Sequence, residues 1–304
     1  EGLALVTEYF GEDWPRALTA EVRVHDNVAY LARSGDGIRV LRLNGAERPT
    51  EVAHLLGDGS ESINEVKLAE TPGGQPILLA ASDNTGLIVL GLENPEQPVE
   101  ISRYESSPEE FWGTHTVFTE VHEGRLLAYL ADGVTNRVTV LDLTTPQSPS
   151  EVGVAELGEP FSGTHAVFAQ NGRAFMAAGT QGLIVADLLP SPEAAVPLGI
   201  YPSSGYAHQV WATTIDDRPI AAFGNEGFGA KLELIDVDPA SPEFVTQIGV
   251  DPALRQGSIH DIVVVGTTVY SAHYEEGVRI FDISDPTSPA QTGYFNTWDI
   301  ANGT

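Results

Sequence analysis

The chain has 304 residues, with 43 acidic against 15 basic side chains, a formal net charge of −28, one methionine and no cysteine. Such a surface repels nucleic acid and anionic lipid, which need clustered Lys and Arg, and without cysteine there are neither disulfides nor thiolate metal sites. No apolar run approaches the ~18 residues of a membrane-spanning helix, so no membrane span is expected.

In chain order, residues 1–10 read as a lone outer strand. Six copies of one phrase follow: a strand-like run, a Pro-containing turn and a second strand-like run. The copies are GIRVLRLNGAERPTEV from Gly37, GLIVLGLENPEQPVEI from Gly86 and RVTVLDLTTPQSPSEV from Arg137. GLIVADLLPSPEAAVPLGI from Gly182, KLELIDVDPASPEFVTQI from Lys231 and GVRIFDISDPTSPAQTGY from Gly277 complete the set. The starts are 49, 51, 45, 49 and 46 residues apart. A period of roughly 40–50 residues built from short strands denotes a radial β-repeat with one four-stranded blade per period. The last copy shows the plan. Ile262–Val265, Val269–Ala272, Val278–Ile283 and Pro289–Phe295 are strands a to d, joined by short loops. Asp285-Pro286 forces the c–d turn, because Pro presets φ and Asp bonds its own backbone. Asp142, Asp187, Asp236 and Asp282 recur just before that turn and read as turn chemistry.

The expectation is an all-β, six-bladed β-propeller of four-stranded antiparallel blades, forming one domain over residues 1–304. The N-terminal strand is extra and is expected to help close the ring. The a strands, read as the most apolar, are expected to line the centre. The chain begins at Glu1 and its one Met is Met176, so a removed N-terminal signal is expected. With only Lys67 and Lys231 as lysines, the acidic surface suggests a secreted, periplasmic or cell-surface protein.

The strands GLIVLGL (Gly86–Leu92), RVTVLDL (Arg137–Leu143) and GVRIFDI (Gly277–Ile283), each followed by a Pro-bearing turn, resemble the bacterial LVIVD-repeat family. The resemblance covers about residues 3–296. It implies a β-propeller, found mostly on exported bacterial proteins, and implies no particular activity. In the fourth copy Leu189-Pro190-Ser191-Pro192-Glu193 replaces the usual turn.

Aligning the copies places one residue at the opening of each a strand: Ala20, Asn64, His115, His165, His208 and His260. On a propeller these positions surround the axial mouth. Neutral imidazole is a ligand for Fe, Cu, Zn or Mn, so these four histidines, with Asn64, form a candidate site for a divalent transition metal, which a metal-dependent enzyme could use. A His ahead of strand a also occurs in WD-repeat propellers, where it braces a blade by bonding an Asp of the b–c loop. Asp83, Asp132, Asn225 and Glu226 are the corresponding loop residues here. His273 and Tyr274, in a b–c loop at the same face, are candidate acid/base or substrate-contacting residues. His25, His54 and His122 are read as solvated. Trp14, Phe111, Trp112, Phe161 and Tyr206, with Arg33 and Arg255, form a candidate rim for a small molecule or glycan. Two alternative functions stand beside a metal site. One is a non-catalytic surface, adhesion or ligand-binding propeller. The other is a metal-free carbohydrate-active enzyme such as a polysaccharide lyase.

Overall fold

The computed structural model describes residues 11, 13–105, 113–158, 163–253, 257–274 and 276–296. They form an all-β chain of six four-stranded antiparallel blades, the six-bladed β-propeller class. Blade 1 is β1 Thr19–His25, β2 Val28–Arg33, β3 Gly37–Asn44 and β4 Glu47–Leu55; blade 2 is β5 Ile63–Glu70, β6 Pro76–Ser82, β7 Gly86–Gly91 and β8 Val99–Glu105. Blade 3 is β9 Thr116–His122, β10 Arg125–Ala131, β11 Arg137–Asp142 and β12 Ser150–Glu156; blade 4 is β13 Ala166–Gln170, β14 Arg173–Ala177, β15 Leu183–Asp187 and β16 Pro197–Tyr201. Blade 5 is β17 Tyr206–Ile215, β18 Arg218–Glu226, β19 Glu233–Asp236 and β20 Thr246–Val250; blade 6 is β21 Ile259–Val265, β22 Thr268–His273, β23 Gly277–Asp282 and β24 Ala290–Phe295. Each blade is an a–b–c–d meander. The extra N-terminal strand expected over residues 1–10 lies outside the described residues, as does any part it has in closure.

Turn chemistry explains the repetition. The a–b hairpins close on two-residue loops whose central residues both have positive φ: Asp26-Asn27, Glu123-Gly124, Asn171-Gly172 and Asp216-Asp217. That geometry matches the right-handed twist of the flanking strands and favours Asn, Asp and Gly. At the c–d turns, carboxylates accept from the backbone two residues on: Thr144 N–H to Asp142 at 2.8 Å, Asp238 N–H to Asp236 at 2.9 Å and Ser284 N–H to Asp282 at 2.9 Å. Asp187 differs. It pairs with Arg173 at 2.6 Å, and the turn that follows contains a short 3-10 segment, Pro192–Ala194.

Contacts divide the chain into two compact units. Among the described residues, one comprises 11–133 with Val138–Val154; the other comprises 155–296 with Val134–Arg137. In the first, β5 packs on β1 and β2, and β9 packs on β5 and β6. In the second, β17 packs on β13 and β14, and β21 packs on β17 and β18. Alternation along the strands of blade 2 feeds two separate cores. Leu78, Ala80, Ile88 and Leu90 join Tyr30, Ile38 and Val40 of blade 1. Ile77, Leu79, Ala81, Leu87 and Val89 join Val117, Leu126 and Leu141 of blade 3. Each fully buried Leu or Ile stabilises by about 1.5–3 kcal/mol relative to exposure.

Burial differs between the strands of a blade. Strands b and c, not a, are the most buried: β6 and β7 are almost wholly covered, whereas β1 and β9 keep exposed and half-exposed residues along their length. Strands b and c have ladder partners on both edges, and in blade 2 a neighbouring blade covers each face. Strand a has a sheet partner on one edge only.

Blade stacking is close enough to need glycine. A Cβ on Gly224 in β18 would lie 2.6 Å from Ile259 Cγ2 and 3.0 Å from Ile262 Cδ1 in β21. Gly224→Ala is therefore expected to lose about 1–3 kcal/mol in urea unfolding, as overpacked cores do. Gly73→Ala, whose added methyl meets nothing nearer than Thr71 Oγ1 at 3.7 Å, is expected to stay within about 0.5 kcal/mol of the parent. Equal stability of the two variants would refute the close-packing account.

Candidate functional site

The position opening each a strand is defined by a backbone irregularity. The a–b register slips by one residue between Thr19 and Glu21, Ile63 and Glu65, Ala207 and Gln209, and Ile259 and Asp261. The extra residues are Ala20, Asn64, His208 and His260, four of the six in-phase positions. A bulge leaves one residue outside the ladder and re-aims its side chain. In blades 3 and 4, His115 and His165 immediately precede the strand, held by N–H bonds to Ala131 O and Ala177 O, each at 2.8 Å.

In the unit containing blades 4 to 6, three imidazoles form a stacked row. The His165 and His208 ring centroids are 3.6 Å apart at 33°, and those of His208 and His260 are 4.7 Å apart at 47°. Each bond runs to the next blade. His165 Nδ1 donates to His208 O at 3.1 Å, and His208 Nδ1 donates to His260 O at 2.7 Å. A carbonyl only accepts, so both rings carry a proton on Nδ1. His208 is only 3 % exposed, and its Nε2 lies 3.7 Å from Glu226 Oε2. Tyr274 donates its hydroxyl to Glu226 Oε1 at 2.7 Å and stands edge-on to His260 at 5.1 Å. Tyr206 stands edge-on to His165 at 6.1 Å and donates to Gly163 O at 3.3 Å.

In the unit containing blades 1 to 3, Asn64 takes the same part. Its amide donates to His115 O at 3.2 Å and to His115 Nε2 at 3.1 Å. His115 Nδ1 donates to Asp83 Oδ1, in the b–c loop of the preceding blade, at 2.8 Å. Both ring nitrogens of His115 are thus engaged by protein groups, and Asn64 and His115 face each other rather than a common centre. Among the described residues no three His, Asp or Glu side chains are grouped so as to hold a metal ion.

The other predicted residues separate. Tyr274 reaches the histidine row and is 42 % exposed, whereas His273 is buried in β22 at 3 % exposure and so does not face a substrate. Arg33 is also buried. Its guanidinium donates to Asp36 at 2.7 Å, Thr19 Oγ1 at 2.8 Å and Pro15 O at 2.8 Å, so it braces blade 1 and is not a rim contact. It and Arg39 stack on Trp14, whose indole donates to Glu51 at 2.6 Å. Asp36 is desolvated by burial, but hydrogen bonds from Arg39 and Arg33 outweigh this and hold its carboxyl below the ordinary range. His54, expected to be solvated, bonds Asp36 O at 2.6 Å. Phe111, Trp112, Phe161 and Arg255 lie outside the described residues.

Sequence reasoning missed the main-chain half of this seam. Gly113 and Thr114 N–H bond Asp83 O and Ser82 O at 2.9 and 2.7 Å; Thr164 N–H bonds Thr135 O at 2.7 Å; Ala207 N–H bonds Gly179 O at 2.8 Å. Each ties the start of an a strand to the b–c loop of the blade before. A Cβ on Gly113 would sit 2.1 Å from Ser82 O, which explains the Gly of the GTH motif. One residue further along, Glu65 accepts from Val117 N–H at 2.6 Å, and Gln209 donates to Asp261 at 2.8 Å. The recurrence of Glu21, Glu65, Gln209 and Asp261 at one phase was the signal available.

Close to the row, Glu233 is held by Tyr201 and Asn225. The Tyr201 hydroxyl donates to Glu233 Oε2, and Asn225 Nδ2 donates to Oε1 at 3.0 Å. Desolvation by burial raises the Glu233 pKa, opposed by these two hydrogen bonds. Burial, then the Glu233 hydrogen bond, raises that of Tyr201.

The LVIVD repeat family matches residues 256–297, the span of the last blade. Comparison with curated proteins returns no match. Two solved structures share the fold. The computationally designed Ika8 protein is 12 % identical, with a TM-score of 0.56 over 90 % of this chain and 73 % of its own. Sqt1 from Chaetomium thermophilum is 14 % identical, with a TM-score of 0.63 over 89 % of this chain and 70 % of its own. At such identities the likeness concerns fold alone.

The raised Glu233 pKa fixes a sign. The folded protein binds this proton more tightly than the unfolded chain. Its contribution is therefore fully present below the unfolded value of about 4.3 and is lost as pH rises through the folded value. Urea unfolding of the wild type and Glu233→Gln between pH ~4 and ~7 is expected to show the wild type losing stability relative to the variant as pH rises. A flat or opposite trend would show that desolvation does not dominate.

Proposed function

We propose that this protein is an exported, non-catalytic binding propeller whose in-phase histidines lock blade to blade, leaving the loops at that end to engage a ligand. One observation carries the reading. Asn64, His165 and His208 all send a side-chain hydrogen bond to the main-chain carbonyl of the equivalent residue in the next blade. A metal centre needs lone pairs directed at one point; a lock needs a donor directed at a neighbour, and the repeated element is the donor. Export is supported by the acidic, lysine-poor composition, and recovery from the cytosolic fraction of source cells would refute it. The lyase alternative is not carried forward. Tyr274 donates to a carboxylate, which holds its proton and repels a uronate.

A second reading, a transition-metal protein, has a specific observation in its favour. Nδ1–H of His165 and His208 is donated to carbonyls, as outer-shell partners do to orient ligating imidazoles. Holding Fe, Cu, Zn or Mn would require His165, His208 and His260 to turn toward one point, a grouping the described residues do not have; the ion would supply Lewis acidity there.

The two readings part on one set of measurements. As locks, Asn64→Ala and His208→Ala should each cost about 1–3 kcal/mol, the loss of a buried hydrogen bond. The two costs should add, because the residues share no partners, and should be the same with or without EDTA. His165→Ala with His208→Ala should fall short of additivity, because those rings are in contact. Stoichiometric metal in protein purified without a His tag, lost on His208→Ala together with an EDTA-sensitive melting temperature, would replace the lock with the metal reading.

A further inference from the structure

A cavity of about 640 Å³ opens between blades 4 and 5, lined by residues of the Tyr201–Gly205, Asn225–Lys231 and Gln247–Val250 segments together with Glu233. None of its residues belongs to the histidine row. Its floor is the Glu233 carboxyl with the Tyr201 hydroxyl and Asn225 amide bonded to it. Asn225 is 4 % exposed and is fixed in turn by the Ser203 hydroxyl. The Gln247 side chain stands over the same hydroxyl, with Oε1 3.3 Å from Tyr201 Oη. Lys231, one of two lysines in the chain, lies in the wall. At the mouth, Phe228 is 88 % exposed on the short loop Gly227-Phe228-Gly229.

We propose that this cavity is a binding site for a neutral saccharide. Four features decide the ligand class. The polar groups are amides and a hydroxyl, which both donate and accept, and a carboxylate, which accepts, as the alternating hydroxyls of a sugar ring require. The groups nearest the floor are already held in place by hydrogen bonds, so binding orders few of them. A solvent-exposed phenyl ring beside a polar cavity offers an apolar face for a ring's C–H groups and is otherwise an unfavourable exposure. Finally, Lys231 and Glu233 cancel, leaving the cavity without net charge, while the −28 surface around it repels anions. An anionic sugar or nucleotide is therefore disfavoured, and the lysine disfavours a cation.

This inference rests on the binding-propeller reading and names its site and ligand class. The test uses the whole protein with a panel of neutral gluco-, galacto- and manno-oligosaccharides alongside uronate-bearing ones, first arrayed and then titrated by calorimetry. Expected is binding of at least one neutral oligosaccharide with Kd of about 1 mM or tighter. It should weaken at least ~10-fold, about 1.4 kcal/mol, in both Phe228→Ala and Gln247→Ala. Both side chains are exposed, so both variants should melt with the parent, which separates loss of binding from loss of fold. Binding of uronate glycans alone, or no neutral glycan bound at that strength, would overturn the proposal. Neutral-glycan binding that survives both replacements would remove it from this cavity while leaving the binding-propeller reading intact. An EDTA-sensitive melting temperature would remove that reading and leave the cavity's result standing.

Discussion

The seam between consecutive blades is the constraint on which the rest depends. A four-stranded sheet buries its b and c strands only when another blade covers each face, and that cover must be held in register. Apolar packing is non-directional and cannot set register by itself. In blades 2, 3 and 4 the main chain of the b–c loop accepts from the start of the next a strand, as Ser82 and Asp83 do from Thr114 and Gly113. At Asn64 and His208 a bulge turns a side chain forward to the blade beyond. Where these bonds are made, the apolar faces meet in fixed registry below them.

The same economy of groups accounts for the charge pattern. Arg42 pairs with Glu96, Arg103 with Glu100 and Glu61, Arg125 with Asp142, and Arg218 with Asp236 and Glu243. A planar guanidinium bridges two carboxylates, or one in a fork, where an ammonium cannot. The arginines neutralise acids within blades, and Arg42 does so between blades 1 and 2. The remaining acids stay at the surface, where they keep the molecule apart from other polyanions.

The architecture was legible because turn and strand chemistry recur in every copy. Asp-Asn, Asn-Gly and Pro-bearing turns are local, so residues a few positions apart determine them. The phase of Asn64, His165, His208 and His260 was legible for the same reason. What those residues touch was not, because a bond from His208 to His260 O spans 52 positions and depends on how far a bulge rotates a side chain. Convergence of the imidazoles followed only from assuming that equal phase means equal direction toward an axis. Burial follows ladder position, and an edge strand such as strand a retains an open side. Arg33 looked like a rim cation in a loop-adjacent position, yet Asp36, three residues on, draws it inward.

The forward bond from one blade to the next has a direction, and that direction belongs to the repeat itself. Every blade brings a main-chain oxygen that can receive, and five of the six bring Asn or His that can give. A tandem duplication of one such blade therefore copies both halves of its joint at once, and the new copy meets compatible chemistry before and behind it. Lengthening or shortening the array by whole repeats needs no second mutation at the joints. Blade 1 is the exception, because Ala20 has only a methyl group at this position. Between blades 1 and 2 the shared apolar core of Tyr30, Ile38, Val66 and Leu78 must hold without that forward bond. The first joint is thus the one at which a gained repeat would arrive without a forward donor before it.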